Sequence, residues 1–188
     1  MDKKEALKIV KDDGSKIKDL PDHFKKDKEI VLAAIKYKDS FGGKRGGYLL
    51  EFVDDTLKKD KEIVLAAVEN SHGNALEFAD NNLKKDKEIV LAAITKNSLF
   101  NNLFHADDSL KKDKEIVLAA VKVDGNALEF ADNNLKKDKE IVLAAVKTNS
   151  IWLSDNMPYW MTRKVSNRSL EFADDSLKKD KEVVLAAV

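Results

Sequence analysis

Residues 125–146 read GNALEFADNNLKKDKEIVLAAV, and this stretch decides the architecture because the chain keeps rewriting it. Its second half, Lys-Lys-Asp-Lys-Glu-(Ile/Val)-Val-Leu-Ala-Ala-(Ile/Val), occurs six times, centred on Asp27, Asp60, Asp86, Asp113, Asp138 and Asp180. Successive spacings are 33, 26, 27, 25 and 42 residues, so the basic unit has 25–27 residues and two intervals carry additional chain. Residues 73–83 repeat the first half almost letter for letter. Self-similarity at such a period is the mark of a repeat array.

Each unit reads as two short helices. Ala75, Leu76, Phe78, Ala79 and Leu83 fall at i, i+1, i+3, i+4 and i+8, an amphipathic stripe without the alternation of a strand. In the second helix Asp86 is the expected N-cap, its carboxylate accepting from free backbone N–H groups. Glu88 follows in the first turn, where the helix dipole favours negative charge. The run from Ile89 to Ile94 is apolar on every face, which predicts a helix sandwiched between neighbouring repeats, with Leu91 facing neighbours on both sides. Gly73 and Gly125 fall just past such helices, where a left-handed C-terminal cap is common.

The text NALEFADNNLKKDKEIVLAAV resembles a family of short tandem repeats grouped only as a domain of unknown function. The resemblance spans nearly the whole chain and implies a helical repeat array; it brings no catalytic residue, cofactor or substrate with it. The fold expected from residues and resemblance together is all-α, an α-solenoid of about six helix-turn-helix repeats. Residues 1–188 are read as a single array. Residues 1–24 form a polar N-terminal cap with the first helices, because Asp2 to Gly14 spans the same steps as Asp113 to Gly125 while charges replace the apolar run. The last copy stops at Val188 inside an apolar helix, so that end is expected to be truncated or covered by a partner or a second copy.

Two inserts collect the unusual residues. Residues 36–47 are Gly-rich and basic, with Lys36, Lys38, Lys44 and Arg45 against Asp39. Residues 147–168 hold Lys147, Arg163, Lys164 and Arg168 against Asp155. Each insert is net +3, so the remainder of a chain whose charges sum to zero is net −6. All three Arg, both Trp, and Tyr37 and Tyr159 lie in the inserts, with Tyr48 just after the first. Tyr, Trp and Arg are the side chains most enriched at binding hot spots. The candidate partner-binding residues are therefore Tyr37, Lys44, Arg45, Tyr48, Tyr159, Trp160, Arg163, Lys164 and Arg168. Residues 147–168 also read as a decayed repeat, since Ile151 to Asn156 aligns with Leu128 to Asn133 and would place Trp152 in a core. The run Gly42 to Gly47 matches no phosphate-binding loop and is read as a flexible connection.

Other chemistry is thin. Lys pairs recur once per repeat (Lys25-Lys26 to Lys178-Lys179) and would line one edge of a stack, but Asp and Glu follow each pair. Adjacent carboxylates such as Asp54-Asp55 sit at turns without calcium-loop spacing, and His23, His72 and His105 share no ligand spacing. His105 takes the place of Phe78 and Phe130, which implies a half-buried packing role. With no Cys, thiol catalysis and disulfide scaffolds are excluded. Charged residues reach 36%, above the ~25% of ordinary domains, while 43% apolar content still supports a core. No apolar run approaches the roughly 18 residues of a membrane span, and the charged start lacks a secretory signal, so a cytoplasmic location is expected. The expected function is a non-enzymatic protein-binding scaffold, adaptor or inhibitor without cofactor or metal. The alternative is a nucleic-acid binder, or an inhibitor of a nucleic-acid enzyme, using the Lys ladder and basic inserts. The protein partner is not identified by the residues, and self-association through the last helix is a further expectation.

Overall fold

A computed structural model describes residues 1–38, 46–70, 75–96, 102–151 and 168–187, without the side chains of 46, 47 and 149–151. These residues are helical, with no strand among them, and divide into two compact units, Met1–His105 and Ala106–Val188. The first unit contains helices α1 (Lys3–Asp12), α2 (Lys28–Ile35), α3 (Gly46–Leu49), α4 (Lys61–Glu69), α5 (Ala75–Phe78) and α6 (Lys87–Lys96). The second contains α7 (Lys114–Val123), α8 (Lys139–Ile151), α9 (Ser169–Phe172) and α10 (Lys181–Ala187). Within the first unit α1, α2, α4 and α6 pack in sequence, each on the next; within the second, α7, α8 and α10 do the same. The short elements form a second row, α3 beside the Gly14–Asp19 turn and α5, and α9 beside the Gly125–Phe130 turn. The fold is an all-α repeat fold, as the periodicity requires.

The N-terminal register holds. Asp2 caps α1 by accepting from the Glu5 amide at 2.9 Å, and Glu5 accepts from the Asp2 amide at 2.9 Å. The Gly14–Asp19 3-10 turn follows Asp13 as the Gly125–Phe130 turn follows Asp124, each aspartate accepting from the amide two residues on. Gly14 is not a left-handed cap. A Cβ there would strike the Ala34 carbonyl oxygen and lie 2.8 Å from Cβ of Tyr37, so glycine is required for close approach. α7 ends on Asp124 in extended backbone (φ −141°), and Gly125 opens the Gly125–Phe130 3-10 turn; Gly73 lies outside the described residues.

Two further expectations need correction. The stripe from Ala75 to Leu83 is not one helix. α5 stops at Phe78, and the chain turns before a separate 3-10 turn, Leu83–Lys85. The equivalent break at Ala131 and Ala173 has extended backbone (ψ 153° and 158°). The cause is the Asp/Asn tract: Asp80 accepts from the Asn82 amide at 2.9 Å and Asp132 from Asn134 at 2.9 Å, local bonds that compete with a continuing helix.

The long helices are not covered on all faces. Ile89, Val90 and Ala93 are fully buried and Ile94 nearly so, but Leu91 and Ala92 are half-exposed. Leu32, Leu65, Leu118 and Leu143 repeat this pattern. Leu91 therefore does not face neighbours on both sides; Ile89 and Val90 mark the covered faces. At α1, the first described helix, the positions three and seven after the capping Asp are Glu5 and Ile9, both exposed, whereas Ala6 and Val10, four and eight after it, are fully buried. At α10, position three (Val183) is fully buried against the preceding row. Positions three and seven thus face the preceding repeat, and four and eight the following one. Burying such an Ile or Val is worth about 1.5–3 kcal/mol.

Candidate functional site

The most regular constellation is the one that joins repeats. Each capping Asp accepts through Oδ1 from the amides two and three residues on: Asp86 from Glu88 (3.0 Å) and Ile89 (3.4 Å), Asp138 from Glu140 (3.0 Å) and Ile141 (3.4 Å). The other oxygen of Asp27, Asp60, Asp86, Asp138 and Asp180 is held by a lysine of the preceding repeat, which also reaches the following Glu. Lys3 lies 2.8 Å from Asp27 and 2.9 Å from Glu29. Lys28 makes the same pair of contacts with Asp60 and Glu62 at 2.7 and 2.8 Å, and Lys61 with Asp86 and Glu88 at 2.7 and 2.8 Å. In the second unit Lys114 holds Asp138 and Glu140 at 2.7 and 2.8 Å, and Lys139 holds Asp180 and Glu182 at 2.8 and 3.0 Å. One lysine thus clamps a helix N-terminus that a carboxylate already caps.

The ionisation follows. Hydrogen bonds to the next repeat's Asp and Glu hold Lys3, Lys28, Lys61, Lys114 and Lys139 above the ordinary lysine value. The same lysines, helped by the capped amides, hold Asp27, Asp86, Asp138 and Asp180 below the ordinary aspartate value. At Asp60 burial pushes upward, yet Lys28 and the helix amides outweigh it and the shift is downward.

A second link runs through the turns. The Asp54 amide donates to the Lys25 carbonyl (3.2 Å), Asp80 to Lys58 (3.1 Å), Asp132 to Lys111 (2.9 Å) and Asp174 to Lys136 (3.0 Å). The adjacent carboxylates divide this work: Asp54 accepts from Thr56 at 2.6 Å, while Asp55 pairs with Lys58 at 2.9 Å. Among the described residues, no group of three or more His, Asp or Glu is placed to hold a metal.

The lysine pairs are not a uniform ladder. The first lysine turns to an Asp of its own turn in several pairs, Lys25 to Asp22, Lys111 to Asp108 and Lys178 to Asp175, all at 3.0 Å, whereas Lys84 donates to the Glu77 carbonyl at 2.8 Å. The second is exposed. Lys26 approaches Asp54 at 3.6 Å, and among the described residues Lys59, Lys112 and Lys179 form no ion pair.

Of the candidate contact residues, Tyr37, Tyr48 and Arg168 are described; Lys44, Arg45, Tyr159, Trp160, Arg163 and Lys164 lie outside the described residues, as does Trp152. Tyr37 is half-buried, with its Cβ beside Gly14. Tyr48 is 45% exposed. Arg168 is exposed, donates from Nε to Glu171 at 2.9 Å and sits 5.5 Å over the Phe172 ring. Tyr37 and Tyr48 belong to the first unit and Arg168 to the second. His105 is half-buried in the place of Phe78 and Phe130, both also half-buried. The described clefts are shallow; one of about 520 Å³ lies between Lys136, Lys137 and Phe172 to Asp175.

The model of a family described as a domain of unknown function (DUF4116) matches residues 2–42, 44–84, 70–111, 86–136 and 113–156. The chain belongs to this family. Each matched stretch contains one complete Lys-Asp-Lys-Glu string. No curated protein and no solved structure matches the chain.

The reading of the sequence missed the clamp lysine. The Lys pair before each Asp is the more conspicuous repeat, whereas the clamp is the single Lys after it. The signal was present: each such Lys from Lys3 to Lys139 is followed, one repeat later, by an Asp-x-Glu opening. Among the described residues no helix is long and apolar enough to cross a membrane.

Proposed function

We propose that the chain is a non-enzymatic protein-binding scaffold, adaptor or inhibitor. The observation that supports this is the division of labour within each repeat. The clamp, cap and turn charges are engaged internally, while a half-exposed Leu and a solvent-facing Lys recur at the repeat interval (Leu32, Leu65 and Leu91 in the first unit). A rigid surface with apolar patches ringed by charge suits protein recognition. The aromatic and basic candidates of the inserts, Lys44, Arg45, Tyr159, Trp160, Arg163 and Lys164, add contacts in this reading. Affinity capture from the native host tests it. Leu65→Glu with Leu91→Glu should abolish capture of a protein partner while leaving the melting temperature within a few degrees. Undiminished capture removes the repeat edge as the site, and undiminished capture by insert variants as well removes the reading.

Lys59, Lys112 and Lys179, exposed and without an ion pair among the described residues, favour a second reading, binding to nucleic acid. Phosphate contacts release counterions, so that affinity would fall by orders of magnitude between low and moderate salt. A Leu-centred protein contact would change little.

A further inference from the structure

The turn at residues 133–137 departs from its counterparts in what its lysines meet. Where Asp stands three residues before a lysine pair, it holds the first lysine. Asp22 holds Lys25, Asp55 holds Lys58, Asp108 holds Lys111 and Asp175 holds Lys178, at 2.9–3.0 Å. Asn takes that place at two turns. After Asn81, Lys84 donates to the Glu77 carbonyl at 2.8 Å. After Asn133, Lys136 has neither an ion pair nor a side-chain hydrogen bond among the described residues. Nor does Lys137 form an ion pair there, although its counterpart Lys26 approaches Asp54 at 3.6 Å. Both lysines line the cleft of about 520 Å³ that faces residues 171–175, and the Asp174 amide, donating to the Lys136 carbonyl at 3.0 Å, sets the two turns side by side. The carboxylates of the cleft are each engaged: Glu171 by Arg168 at 2.9 Å, Asp174 by the Ser176 hydroxyl at 2.6 Å, Asp175 by Lys178 at 3.0 Å. Phe172, half-buried, and Ala173 add apolar surface beside them. What the cleft leaves unmet is positive charge next to an apolar wall.

We propose that this cleft takes one anionic side chain of a protein segment, a carboxylate or a phosphate, with a neighbouring apolar residue of that segment laid on Phe172 and Ala173. Two ammonium groups without a partner give such an anion charge-assisted hydrogen bonds. A polyanion fits poorly, because Glu171, Asp174 and Asp175 line the same cleft and repel the successive phosphates of a nucleic-acid strand. The site rests on the reading of the chain as a protein-binding scaffold, but not on its leucine edge. Leu65 and Leu91 belong to the first unit and the cleft to the second, so either can fail alone.

Amide chemical shifts of the full chain, followed as short peptides are added to millimolar concentration, test the proposal. The probes are acetyl-Gly-Asp-Leu-Gly-amide, its phosphoserine counterpart and its neutral Asn counterpart. The amides of residues 133–137 and 171–175 should shift saturably with at least one anionic peptide, the tighter of which names the group. The Asn peptide should bind at least tenfold more weakly. Lys136→Gln with Lys137→Gln should weaken the anionic peptide at least tenfold, with circular dichroism checking the fold. Asn133→Asp should weaken it too, at unchanged melting temperature, by pairing Lys136 as Asp108 pairs Lys111. Neither anionic peptide shifting those amides overturns the proposal. So does equal binding by the Asn peptide, or binding indifferent to the lysine substitutions. A single-stranded oligothymidylate that moves the same amides at lower concentration than the peptides overturns it as well, by making a nucleic acid the occupant.

Discussion

α8 and α10 carry nearly the same residues, KEIVLAAV and KEVVLAA, yet differ in what their outward faces meet. On α8, Val142 is fully buried and Lys139 reaches Asp180 and Glu182. On α10, Val184 is 36% exposed, and Lys181 has no carboxylate partner among the described residues. The helix text therefore does not by itself make a core. It makes two complementary half-surfaces, and burial arises only where a following repeat provides the other half. That is how a repeat array adds stability, neighbour by neighbour.

The largest break in this contrast should come from the covered side. Ile141→Ala removes a fully buried side chain at a junction and should cost about 2–5 kcal/mol in urea unfolding. Ile89→Ala should behave alike in the first unit, and Leu91→Ala should cost clearly less because its site is half-exposed. Acid should act on all junctions at once. The clamped aspartates titrate below their ordinary 3.8, so their contribution is complete above that value and is lost as pH falls through their folded-state values. The clamp lysines titrate above their ordinary 10.5, so theirs is complete below that value and is lost as pH rises past it. Melting temperature should be flat between, dropping below about pH 4. Asp124, raised by burial, opposes the acid loss but is one group.

Smaller effects sharpen the comparison. Asp138→Ala removes a helix cap and a clamp acceptor together and should cost about 1–2 kcal/mol, while Asp138→Asn retains most of the cap. Val184→Ala and Leu185→Ala should stay within about 0.5 kcal/mol of the parent, since both side chains are exposed among the described residues.

What the sequence made legible follows from the length scale of each feature. Periodicity exposed the repeats, the capping aspartates and the N-terminal register, because each rests on spacing within a few residues. The break after Phe78 was hidden, since a stripe at i+3, i+4 and i+8 looks the same whether or not Asp80 diverts the backbone to its own side chain. The half-exposure of Leu91 was hidden too, because an all-apolar run carries no mark of which face a neighbour covers. The clamp joins residues such as Lys28 and Asp60, 32 apart in sequence, and only packing brings them to 2.7 Å. Among the candidate residues, Tyr37 has its Cβ beside Gly14, a close approach that composition does not reveal.

The clamp itself is most directly tested by a double-mutant cycle on Lys139 and Glu182, with Lys181→Ala as the control on the same helix row. Stability of Lys139→Ala, Glu182→Ala and the double variant is measured by urea unfolding at low and high salt. If the lysine joins repeats, the double variant loses less than the sum of the single ones, the difference shrinks at high salt, and Lys181→Ala matches the parent. Additive losses, with Lys139→Ala no worse than Lys181→Ala, would contradict a structural role for the repeated Lys-Asp-Lys-Glu charges.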